Sequence, residues 1–123
     1  MFIAVLASCF ALIQACDDEN TNQEIVFPAD GVSYAEHVQP YFLRYCATSG
    51  CHNNATVAGG LALTSWSNVI SAPGVVIEGD PDASLLIQKV DGRLPHQPNV
   101  PILINNNQLE GLRTWVSEGA KNN

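Results

Sequence analysis

The sequence predicts a small, mostly α-helical domain of roughly three to five short helices joined by long loops. Three observations predict it. Apolar residues recur at helical spacing in several short stretches, and few runs alternate with period two. Capping residues and terminators bracket those stretches. Nine glycines and seven prolines among 123 residues call for many connections. The length leaves room for one domain with a modest core. Apolar residues make up 46% and charged ones 14%, which excludes a highly charged disordered chain. Five basic against twelve acidic residues give a net charge of −7, and that sign repels phosphate backbones, so no nucleic-acid partner is expected.

The chain opens with an expected export signal, residues 1–15. Met1 to Ala15 has no charged residue, and Phe2 to Ile13 is nearly continuous apolar sequence. A run of about twelve is too short for a helix across the bilayer core and suits the apolar centre of a secretory signal. Ile13-Gln14-Ala15-Cys16 resembles the lipobox of bacterial lipoproteins, which implies cleavage after Ala15, loss of Cys9 and lipidation of Cys16. An ordinary signal peptide or a buried apolar strand stays open as an alternative. A basic leader is missing, and a start upstream of Met1 would provide it. Residues 16–24, acidic through Asp17, Asp18, Glu19 and Glu24, read as a solvated tether to a domain at 25–123, its folded part running to about Ala120.

Ser33-Tyr34-Ala35-Glu36 fits a capping box with Ser33 as N-cap. The helix it opens carries Tyr34, Val38, Phe42 and Tyr45 near one face, with a kink or restart at Pro40. Val57 to Leu63 shows no clear element, and Gly59-Gly60 predicts a turn with close backbone approach. Thr64 or Ser65 caps a helix with Trp66, Val69 and Ile70, ended by Ala72-Pro73-Gly74. After the Gly79-Asp80-Pro81 turn, Asp82 is expected to cap a helix with Leu85, Leu86, Ile87 and Val90. A Pro-rich loop with Pro95, Pro98 and Pro101 follows. Asn106 or Asn107 caps the last helix, whose stripe is Leu109, Leu112, Trp115 and Val116, with Gly119 closing it.

The chemistry lies in Cys46 and Cys51 with His52 directly after the second. Two thiols and an adjacent imidazole suit covalent haem attachment, each thiol adding to a vinyl group and the histidine reaching the iron. The usual spacing leaves two residues between the cysteines; here Ala47-Thr48-Ser49-Gly50 leaves four. A Cys46–Cys51 disulfide suits an oxidising compartment equally well. Zinc lacks a fourth ligand near these three, and a thiol redox pair normally has two intervening residues. On the motif alone, haem and disulfide both stand.

Four further segments point one way. Val38-Gln39-Pro40-Tyr41-Phe42-Leu43 before Cys46 resembles the helix preceding the haem motif in a family of small bacterial c-type cytochrome domains. Gly60-Leu61-Ala62-Leu63, Gly79-Asp80-Pro81-Asp82-Ala83-Ser84-Leu85-Leu86 and the run from Leu109 through Trp115-Val116 to Gly119-Ala120 are similar to that family's later segments, in family order. The resemblance spans residues 33–120. It implies a class I-like fold around one haem c, with Cys46 and Cys51 as thioether donors and His52 as proximal ligand. It also implies a chain poorly folded without haem, and core roles for Trp66, Leu86, Trp115 and Val116.

The family's sixth ligand is usually a methionine followed by proline. Leu94-Pro95 stands there, and the only methionine is Met1. His96, two residues on, is the leading substitute; His37, water or an open position are the others. Arg93 is a candidate partner for a haem propionate, or a solvated surface residue. The expected function is a membrane-tethered single-electron carrier rather than an enzyme, on the periplasmic or cell-surface side, with basic redox proteins as partners. A haem sensor or peroxidase-like protein with an open iron, and a haem-free disulfide module, are the alternatives. No nucleophile set, phosphate loop or close carboxylate pair argues for hydrolysis.

Overall fold

A computed structural model describes residues 23–96 and 100–123, and all regular structure among them is helical. The expected leader, Cys16 and most of the tether lie outside the described residues. The first helix begins at Ser33, whose Oγ accepts from Glu36 N at 3.1 Å. It opens as a π-helical turn, Tyr34–Val38, and restarts as α1, Gln39–Tyr45. Pro40 explains the change of winding. It has no N–H and its ring crowds the carbonyl four residues back, so the preceding turn widens, with Val38 N reaching Ser33 O at 3.3 Å. The return half of the expected capping box goes elsewhere: Ser33 N donates to Nδ1 of His37, not to Glu36.

A short 3₁₀ turn, Ala58–Gly60, leads to α2, Trp66–Ser71, which Ser65 caps through Asn68 N. Gly59 and Gly60 sit at φ of +62° and +77°, but a side chain at either would meet open space. The backbone angle requires glycine there, and the close approach expected of the pair is absent. Helix α3, Leu85–Val90, starts two residues later than Asp82 predicts. Ser84 is its N-cap, with Oγ turned back to accept from Ile77 N and donate to Asp80 O, both at 2.8 Å. Asp82 is exposed and pairs with arginines instead.

Helix α4, Asn106–Ser117, is capped by Asn105, one residue before the expected position, because Gln108 completes a reciprocal capping box from there. Asn107 is thereby freed to clamp Phe27, accepting from its N–H at 2.8 Å and donating to its carbonyl at 2.9 Å. Gly119, at φ +100°, ends the helix in a Schellman turn: its N–H reaches Val116 O, and Ala120 N–H reaches Trp115 O.

The core sits where α4 packs on α3 and on the π-helical turn. Val38, Tyr41, Phe42, Val69, Ile87, Leu112, Trp115 and Val116 are essentially sealed from solvent. Both chain ends of the described region are tied in, beyond the expected limits of Ile25 and Ala120. Arg44 donates to Gln23 O, and Asn123 accepts from the N–H groups of Tyr34 and Ala35, two otherwise orphaned donors of the first turn.

Gly111 lies inside α4 against Phe27, and a Cβ there would land on Cβ, Cγ and Cδ1 of that residue. Alanine would gain about 1 kcal/mol of helix propensity. It would also push on a Phe27 backbone that Asn107 holds at both polar atoms, and overpacking of this kind costs about 1–3 kcal/mol. Since the clash involves Cβ and not a free ring edge, Gly111→Ala is expected to lower the melting temperature by roughly 5 °C. An unchanged or raised midpoint in a circular dichroism melt would show that Phe27 yields without cost.

Candidate functional site

Cys46 ends α1, its N–H still bonded to Phe42 O at 2.9 Å. The four residues after it do not form an open bulge. Cys51 N reaches Thr48 O and His52 N reaches Cys46 O, both at 3.0 Å, with Gly50 at φ +81° making the reversal. This double turn carries Cys51 back towards Cys46. Both sulfurs are unbonded and both residues half-buried. The Cys46 thiol is pushed up to about 12, first by burial and then by Cys51 nearby. A redox or nucleophilic thiol needs the opposite shift. A buried site that disfavours thiolate suits a neutral sulfur, whether in a thiol, a disulfide or a thioether.

The chain then winds through Val57, Gly59 and Gly60, all at positive φ, and returns alongside His52. Leu63 N donates to His52 O at 2.9 Å, and Leu61 O lies 3.0 Å from His52 Nδ1. A proton on Nδ1 shared with that carbonyl leaves Nε2 with its lone pair, the arrangement that fixes a ligating histidine in tautomer and orientation. The Leu61 carbonyl is a site group that side-chain reading misses. Its only signal in the sequence is the Gly-Gly pair that turns the backbone round to it.

His96 lies in the loop after α3. Its ring stands edge-on to that of His52, centroids 5.8 Å apart and planes at 79°. Its Nδ1 is buried with no hydrogen-bond partner among the described residues. Burial first, then His52 and the charge on Lys89, hold His96 below the usual imidazole range, which keeps it in the neutral, ligating form near neutral pH. Two imidazoles that flank one metal, each at about 2 Å, have ring centroids roughly 6 Å apart. The observed centroid separation is close to that value. Among the described residues no group of three His, Cys, Asp or Glu comes together to hold a bare ion. A porphyrin would bring four donors of its own, so a pair of histidines would complete a haem iron where a bare zinc ion would lack protein ligands.

The other candidates lie elsewhere. His37 is occupied at the start of the first helix, its Nδ1 on Ser33 N and its ring 5.9 Å from Phe27. Arg93 donates to Asp91 at 2.7 Å and to Asp82 at 3.2 Å, and Arg113 joins the same cluster through Asp82 at 3.0 Å. Its guanidinium is thus engaged by protein carboxylates. Leu86, Trp115 and Val116 are core, while Trp66 is half-buried and donates to Ala120 O at 2.7 Å. Comparison with protein-family models, curated proteins and solved structures yields no match.

Proposed function

We propose that this chain is a c-type cytochrome, a single-electron carrier that would hold one haem c through Cys46 and Cys51, with His52 and His96 as the residues that would bind its iron. The observation that carries the reading is the His52–His96 pair. Two half-buried imidazoles meet at the separation a shared metal requires, one anchored through Leu61 O and the other with an unpartnered ring nitrogen. Bound haem supplies a one-electron iron couple. The protein's part is to fix the His52 tautomer, to keep His96 neutral and to present two sulfurs on adjoining turns. A second histidine in place of methionine predicts a potential below that of His/Met cytochromes. Export and a lipid on Cys16 belong to the same proposal, as does a basic redox partner, which a chain of net charge −7 favours.

The test is protein matured with a cytochrome c assembly system, weighed intact and examined by absorption before and after dithionite. The expected result is a mass increment of one haem and a reduced spectrum with sharp α and β bands. His96→Ala is expected to turn that spectrum high-spin and open the iron to carbon monoxide. A wild-type protein that is itself high-spin and binds carbon monoxide would move the reading to a sensor or peroxidase-like protein. No haem increment, with a Cys46–Cys51 disulfide in its place, would overturn it.

A further inference from the structure

The short run from Asp91 to His96 is fastened to α3 at nearly every residue. Leu94 N donates to Gln88 O at 2.8 Å, and Arg93 bonds to Asp91 through its N–H at 3.0 Å and its Nε at 2.7 Å. Lys89 Nζ donates to Pro95 O at 2.6 Å. That last oxygen belongs to the peptide unit whose nitrogen is His96's own, so Lys89 grips the backbone immediately before the imidazole. Packing from below does less to place the loop. Beneath it runs an open cleft of about 320 Å³, lined by Lys89, Val90, Leu94, His96, Val100 and Ile102.

We infer that Lys89, assisted by Arg93, is a positioning residue that holds the Pro95–His96 peptide where the His96 ring faces His52. The inference rests on the haem reading above and adds to it what keeps the sixth ligand in place. Among the described residues the peptide plane before His96 has one side-chain anchor, a solvent-exposed charge-assisted bond from α3. Arg93 sets the start of the loop by joining Asp91, at the end of α3, to Asp82. With Lys89 removed, the loop keeps its start but loses the grip next to the ligand, and His96 leaves its position more often.

The experiment compares haem-loaded wild type, Lys89→Met, Lys89→Arg, Arg93→Gln and His96→Ala. It reads the reduced spectrum, carbon monoxide uptake at limiting gas, and thermal midpoint. Lys89→Met keeps the aliphatic stem and removes only the donor. It is expected to raise the fraction of reduced protein that takes up carbon monoxide about fivefold, the effect of losing one modest bond. Its melting midpoint should move by less than about 5 °C, since the residue lies at the surface. Arg93→Gln should move uptake in the same direction by less, and Lys89→Arg, which retains a charged donor, should restore the wild-type value. If His96→Ala opens the iron but Lys89→Met leaves spectrum and uptake at wild type, the positioning role is wrong and the ligand assignment survives. If no variant carries haem, or His96→Ala stays low-spin, the parent reading fails and this inference falls with it.

Discussion

Replacing Cys46 and Cys51 together by serine is expected to remove covalently held haem completely. Serine has nearly the shape of cysteine, but its hydroxyl does not form the thioether. The fold has no evident need of the sulfurs. The turn that joins the two positions is closed by backbone bonds, Cys51 N to Thr48 O and His52 N to Cys46 O, which the change leaves intact. Intact mass after acid–acetone extraction should therefore be that of the bare polypeptide. Either single variant should keep haem through one remaining thioether. Thiol labelling of denatured wild type without reductant closes the argument: blocked cysteines with haem attached support thioethers, whereas blocked cysteines without haem support a disulfide. Haem that survives extraction in the double variant would place the attachment somewhere else.

Trp115→Ala is expected to be the most damaging single change to stability. Trp115 is 1% exposed, and its ring packs on Tyr34 at 5.6 Å between centroids. Its Nε1 donates to Lys121 O at 3.0 Å, and its carbonyl accepts the N–H of Ala120 in the turn that ends α4. Truncation opens a cavity between α4 and the π-helical turn and releases the C-terminal tail that caps that turn through Asn123. Large aromatic-to-alanine changes in cores cost about 3–5 kcal/mol, against a total stability of roughly 5–15 kcal/mol for a domain. A fall in melting temperature on the order of 20 °C follows for a domain of this size. The same change at half-buried Trp66, which loses one bond and part of a contact, should cost less than half as much. Melts of the haem-loaded proteins check both. Equal effects at the two sites would show that the tail bonds, which both tryptophans share, matter more than burial.

Much of the fold was legible because its causes are local. Ser33 and Ser65 cap helices by reaching N–H groups three residues on, Pro40 disturbs the turn that immediately precedes it, and Gly119 reverses the backbone where α4 stops. Errors arose where several residues of suitable chemistry stood in a row. Asn105, Asn106 and Asn107 all cap well, and only Gln108 favours the first. Asp82 looked like a cap until Ser84 took that place through bonds to Ile77 and Asp80, leaving the aspartate to the arginines. Both cases turn on a choice between near-equal local options, decided by a side chain three residues on in the first and by backbone groups four and seven residues back in the second.

The candidate site divides the same way. Cys46, Cys51 and His52 could be named from the sequence because their proximity is covalent: a few bonds of backbone keep two thiols and an imidazole together in any fold. His96 could be named only as the histidine nearest to a missing methionine. What brings its ring to 5.8 Å from His52 is tertiary, namely α3 in place, its end tied by Arg93 and the peptide before His96 held by Lys89. The Leu61 carbonyl on His52, Glu118 on the N–H groups of Gly31 and Val32, and Asn123 on the first turn were equally out of reach. By itself the sequence determined the helical class and most helix boundaries, and it singled out Cys46, Cys51 and His52 as candidates, since these follow from short stretches of chain. The tertiary structure decided which distant polar groups meet, because such meetings depend on packing the whole core and no short-range pattern encodes them.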